Sequence, residues 1–129
     1  MEKPHTKLIA WRKCMDLVEL VYDITKSFPR EEIYGLSSQM RRAAVSAPSN
    51  IAEGAADRST EQFRNFLSVS LGSLNELSTQ LEIALRVGHV DEHKFSAVAK
   101  LLDECMAVTY GLKRSLARPN SNGRSAPAA

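Results

Sequence analysis

A chain of 129 residues with 43% apolar content has the size of one ordinary domain, buries a core without staples, and is too apolar for wholesale disorder. Net charge is only +2, and setting aside Arg118 and Arg124 leaves 15 basic against 15 acidic residues, so a case for nucleic-acid binding rests on local patches, not on bulk charge. Cys14 and Cys105 lie far apart on apolar stripes, which suits reduced core thiols more than a disulfide framework. With no signal-length apolar run and none of about 18 residues, a cytoplasmic protein with no membrane partner is expected.

Strand signals are nearly absent, and helical spacing recurs four times. Residues 1–9 read as an N-terminal arm. The first helix is expected over about 10–27, with Trp11, Met15, Val18, Val21 or Tyr22, and Thr25 as its core stripe. Phe28-Pro29 ends it, because a residue before proline is pushed out of helical geometry.

The second helix runs from about Leu36 to Asp57 and contains the stretch "MRRAAVSAPSNIAEGAA". Leu36, Met40, Ala43, Ala47 and Ile51 share one face at ~100° per residue, and most are small enough to let a neighbour approach closely. The pattern crosses Pro48 without a phase break, which favours one kinked helix over a break with Ser46 capping a new one. Beside it runs a polar stripe in which Arg42, Ser46, Asn50 and Glu53 recur about once per turn, with Ser49 alongside. Such a stripe is ordinarily solvated, or satisfies polar groups on the third helix such as Ser70, Ser73 or Glu76. Its functional reading is a docking or oligomer-locking surface.

The third helix opens on Ser59-Thr60-Glu61-Gln62, a capping box. Phe63, Phe66, Leu67, Ser70, Leu74, Leu77, Leu81, Ala84 and Leu85 then line one face, and Gly88 supplies a left-handed stop. Val69, Ile83 and Val87 project roughly opposite, as candidates for an oligomer interface. Asp91 caps the fourth helix, whose seam is Phe95, Val98, Leu102, Cys105, Thr109, Leu112 and Leu116. Helices three and four are each ~40 Å long, and their short connection makes them antiparallel. Residues 10–117 thus form an all-α, up-and-down four-helix bundle, and 118–129 a disordered basic C-terminal tail.

Chemistry is sparse. His89 and His93 sit four apart but straddle the Gly88–Asp91 turn, so they are loop histidines and not a zinc pair. Neither cysteine has a neighbouring histidine. Glu76 and Glu82 lack the Glu-x-x-His partners of a bundle metal site. No enzyme, cofactor or metal is expected. Arg41, Arg42, Arg58 and Arg64 gather around the second and third helices, and Lys113 and Arg114 at the end of the fourth. The last two complement the helix dipole. All six are candidates for contacts to phosphate backbones, repeated in each copy of an oligomer.

Trp11, "FPREEIYGLSSQMRRAAVSAPSNIAEGAADRS" (28–59) and "EQFRNFLSVSLGSLNELSTQLEIALRVG" (61–88) carry a resemblance. Through "FP-x-E-E-x-Y-G-L", "Q-x-R-R-A", "N-I-A-E-G" and "G-S-x-x-E", residues 8 to 115 resemble the four-helix-bundle proteins of 23S rRNA intervening sequences. The accessory variability determinant of diversity-generating retroelements is a relative of that family. The resemblance implies an antiparallel bundle assembling into a homopentamer. In the retroelement branch it implies a basic barrel that binds a reverse transcriptase and nucleic acid; the neutral folded part of this chain departs from that pattern. The expected function is a non-enzymatic oligomeric binding or scaffold protein, serving as an adaptor for RNA, DNA or a ribonucleoprotein. The alternative is a protein–protein scaffold without nucleic acid.

Overall fold

The computed structural model describes residues 3–56 and 58–116. Four helices appear in chain order: α1 (Ile9–Thr25), α2 (Leu36–Ala55), α3 (Thr60–Arg86) and α4 (Glu92–Ser115). No strand occurs among the described residues. The helices pack as α1 on α2, α2 on α3, α3 on α4 and α4 on α1, which is the closed cycle of an up-and-down four-helix bundle. A 3-10 turn over Pro4–Lys7 leads into α1 and rests on α1 and α2. The tail at 118–129 lies outside the described residues.

The ends of the helices follow from local chemistry. Ser59 accepts from the N–H of Gln62, and the Gln62 side chain accepts from the N–H of Ser59, so the capping box is complete. Asp91 Oδ1 accepts from the Lys94 N–H at 2.8 Å. Gly88 has φ of 83° and turns the chain out of α3, a conformation that costs glycine nothing.

Helix α2 is continuous through Pro48, so one helix spans the proline and Ser46 does not cap a new one. Proline removes the donor for the Ala44 carbonyl and crowds that carbonyl, and three side chains donate to the next three carbonyls along the helix. Ser49 donates to the Val45 carbonyl at 2.7 Å, the Asn50 amide to the Ser46 carbonyl at 2.8 Å, and Ser70 of α3 to the Ala47 carbonyl at 2.9 Å. Ser49 and Asn50 of "VSAPSN", with Ser70 of α3, thus add hydrogen bonds to the backbone on either side of the proline.

The core consists of Leu17, Val21, Met40, Ile51, Leu67, Leu74, Leu77, Leu81, Val98 and Leu102, each no more than 1% exposed, with small residues between them. The expected stripes of the last three helices are confirmed, their terminal members Leu36, Phe95, Leu112 and Leu116 being half-buried. The α1 stripe needs correction. Its core face is Ala10, Cys14, Leu17, Val21, Ile24 and Thr25. Met15 and Tyr22 are exposed, and Trp11 and Val18 only half-buried. The apolar arc of α1 is wider than its buried face, and the bulkier of two adjacent stripes lies outside.

Candidate functional site

That outer stripe builds an apolar surface groove. Trp11, Met15 and Val18 of α1 face Val45, Pro48 and Ala52 of α2 across an open groove of about 340 Å³. His5 of the preceding turn packs its ring 4.8 Å from that of Trp11. On the next face, α3 leaves Val69, Ile83 and Val87 at 52%, 43% and 56% exposure. A single bundle leaves both surfaces facing water.

The polar stripe of α2 divides. The Ser46 and Ser73 hydroxyls share a hydrogen bond of 2.7 Å, and Asn50 donates to Ser46 Oγ at 3.0 Å. Ser46 therefore satisfies a polar group of α3, whereas Asn50 bonds back within α2. Glu53 pairs with Arg58. Arg42 stays exposed, at a cleft shared with Gln39, Ser73 and Glu76.

The six candidate basic residues do not form one patch. Arg41 and Arg42 lie in the second turn of α2, near the α1–α2 connection. That places them about 20 Å along the helix axis from the other end of α2, where Arg58, Arg64, Lys113 and Arg114 sit. Most are held by the bundle. Arg41 Nε donates to Thr25 Oγ1 at 2.8 Å, and its guanidinium lies over the Tyr22 ring at 4.6 Å. Arg58 packs over Phe66, and Arg114 over Tyr110. Arg64 reaches across to α4 and donates to the Lys113 carbonyl at 2.8 Å. That carbonyl, in the last turn of α4, also accepts from the Leu116 N–H at 3.1 Å.

Sequence reasoning missed the link between the two turns at the opposite end. His89 contacts Glu32, and Glu32 Oε1 accepts from the Leu36 N–H at the start of α2. The Leu36 N–H and then the His89 hydrogen bond hold the Glu32 carboxyl below its ordinary value, with the His89 charge adding to them. The His89 ring also packs 5.4 Å from Phe28. The signal was present in "FPREE" and "GHV", but pairing across 57 residues leaves no local spacing to read. His93, by contrast, is exposed in the first turn of α4.

Cys14 and Cys105 are fully buried free thiols. They meet between α1 and α4, where the hydrogen bond to Cys14 and then burial push the Cys105 thiol up. Among the described residues no group of three or more histidine, cysteine, aspartate or glutamate side chains is placed to hold a metal ion. No described helix is long and apolar enough to cross a membrane.

A crystal structure of a protein of unknown function from the S23 ribosomal protein family of Bacteroides thetaiotaomicron is similar, with a TM-score of 0.76 and 19% identity. The match covers 82% of this chain and 99% of that one, and at this identity it shows the shared fold. Among curated proteins, none matches the chain. The family model described as 23S rRNA-intervening sequence protein matches residues 6–111, and the chain belongs to that family.

Proposed function

We propose that the protein is a non-enzymatic scaffold that acts by self-association, with the α1–α2 groove and the exposed face of α3 as the surfaces through which copies meet. A homopentamer is the assembly that the family resemblance implies. One observation carries this reading: Trp11, Met15, Val18, Val45, Pro48 and Ala52, with Ser49 among them, line a mainly apolar groove on the outside of the bundle, where Met15 and Val45 face water. Contiguous apolar surface of this kind marks interaction sites, whereas scattered exposed residues do not. Light scattering of the full chain across a concentration series tests it. The expected result is a discrete multimer at tens of micromolar; a monomer at that concentration overturns the proposal.

A second reading adds nucleic acid. It is favoured by the bond from Arg64 to the Lys113 carbonyl, which brings the start of α3 and the basic end of α4 together. In an assembly this end would repeat in every copy and present clustered cations to RNA or DNA phosphates. Retention of labelled RNA and DNA over a salt series checks it. Binding that weakens steeply with salt supports an adaptor role. No retention even at low salt leaves the protein-only scaffold.

A further inference from the structure

We propose that Cys14 and Cys105 form a redox pair: hydrogen peroxide oxidises them to a disulfide that ties α1 to α4, and thiol reductants reverse the reaction. The pair lies inside one bundle, so this chemistry stands independently of self-association.

The packing of α1 on α4 places the two thiols together. At the rim of that interface Lys13 Nζ lies 3.2 Å from Glu104 Oε2. The next residue of each helix is a cysteine, turned inward and without exposure. The two thiols are hydrogen-bonded to each other. Thr109, one turn further along α4, is also without exposure, and its hydroxyl has no hydrogen-bond partner among the described residues. A buried hydroxyl is ordinarily paired, so this one is a spare donor beside the sulfurs.

The two thiols are not equivalent. The hydrogen bond from Cys105 holds the Cys14 thiol below its ordinary value against the opposing effect of burial, and the Thr109 hydroxyl adds to the lowering. The same bond and then burial push the Cys105 thiol up. Cys14 is therefore the sulfur that ionises, and Cys105 the one that keeps its proton. A thiolate is the form that attacks an oxidant, and a second thiol in contact with it resolves the product.

The Cys14 thiolate attacks one oxygen of hydrogen peroxide. The O–O bond breaks, a sulfenic acid forms on Cys14, and hydroxide leaves. The Cys105 sulfur then attacks the Cys14 sulfur, the S–O bond breaks and the S–S bond forms. The two hydroxide groups released take up the two thiol protons. Two thiols thus give up two electrons and two protons, and one peroxide becomes two waters. Burial of both sulfurs limits the oxidant by size. Hydrogen peroxide is little larger than water and enters through local openings between helices, whereas a bulky aromatic disulfide does not. The product closes a loop of about 90 residues between the first and last helices, which constrains the unfolded chain and raises stability.

The test treats the reduced full chain with hydrogen peroxide, removes the excess with catalase, and adds N-ethylmaleimide in denaturant. The expected product is a single chain lighter by two hydrogens that takes up no maleimide and yields a peptide pair joining Cys14 to Cys105. Dithiothreitol should restore two maleimides per chain, and the oxidised chain should have the higher urea midpoint. Cys105→Ser, which lacks the resolving thiol, should accumulate a sulfenic acid on Cys14 that dimedone traps. The proposal is overturned if both wild-type thiols still take maleimide after peroxide, if the disulfide joins two chains, or if the cysteines pass to sulfinic acid without forming a disulfide.

Discussion

His89 Nε2 lies 2.9 Å from Glu32 Oε2, tying the connection between α1 and α2 to the turn between α3 and α4. Both side chains are largely shielded, at 17% and 26% exposure. The carboxylate also caps α2 through Leu36, so one residue stabilises two junctions at the same end of the bundle.

This contact gives stability a pH dependence. Folding lowers the Glu32 pKa from its ordinary value of 4.5. A depressed carboxyl contributes stability that is fully present above the unfolded value and is lost as pH falls through the folded one. Urea midpoints of the wild type and Glu32→Gln should therefore differ at pH 7 and converge below pH 4.5. A difference that is constant from neutral to acid pH would show that the carboxylate contributes nothing through its charge.

Gly54 sets the spacing between α2 and α3. A Cβ there would sit 2.8 Å from Phe63 Cδ1 and 2.8 Å from Phe66 Cβ. Gly54→Ala should destabilise by about 1–3 kcal/mol through overpacking, despite the helix propensity gained. Gly111→Ala is the control: a Cβ at Gly111 meets nothing within 4 Å, so the change should stabilise by about 0.5–1 kcal/mol. Chemical denaturation of the two variants reads both signs.

Ser70 donates from α3 to the Ala47 carbonyl beside the proline, at a position with no solvent exposure. Ser70→Ala should cost about 1 kcal/mol, the net worth of such a bond. The same denaturation assay measures it, and an unchanged midpoint would remove the role assigned here to the serines around Pro48.

The buried thiols make a further chemical prediction. Cys14 and Cys105 are both 0% exposed, and attack requires an accessible thiolate. An aromatic disulfide reagent should label neither in the native protein at neutral pH and both in denaturant. Rapid native labelling would contradict the packing of α1 on α4.

Legibility of this fold in the sequence tracked the distance between interacting residues. The capping box at Ser59, the Asp91 cap, the Gly88 stop and the seams of α3 and α4 are local patterns and were readable. Pro48 was readable because the apolar phase persists across it. On α1 the larger residues Trp11 and Met15 outweighed Ala10 and Cys14 in any count of apolarity. Periodicity alone cannot say which of two adjacent stripes faces the core when a neighbouring helix leaves the bulkier one outside. The Glu32–His89 contact joins residues from different elements, so no single stretch displays it. The basic residues were visible as types, but their division between two ends of the bundle follows from helix direction.

Sedimentation velocity of the full chain at tens of micromolar, wild type beside Met15→Glu, tests the central proposal most directly. Met15 lines the groove but lies outside the core, so the substitution should leave helicity intact. The account predicts a discrete multimer for the wild type and a folded monomer for the variant. A monomeric wild type, or a variant that sediments as the same multimer, would contradict it.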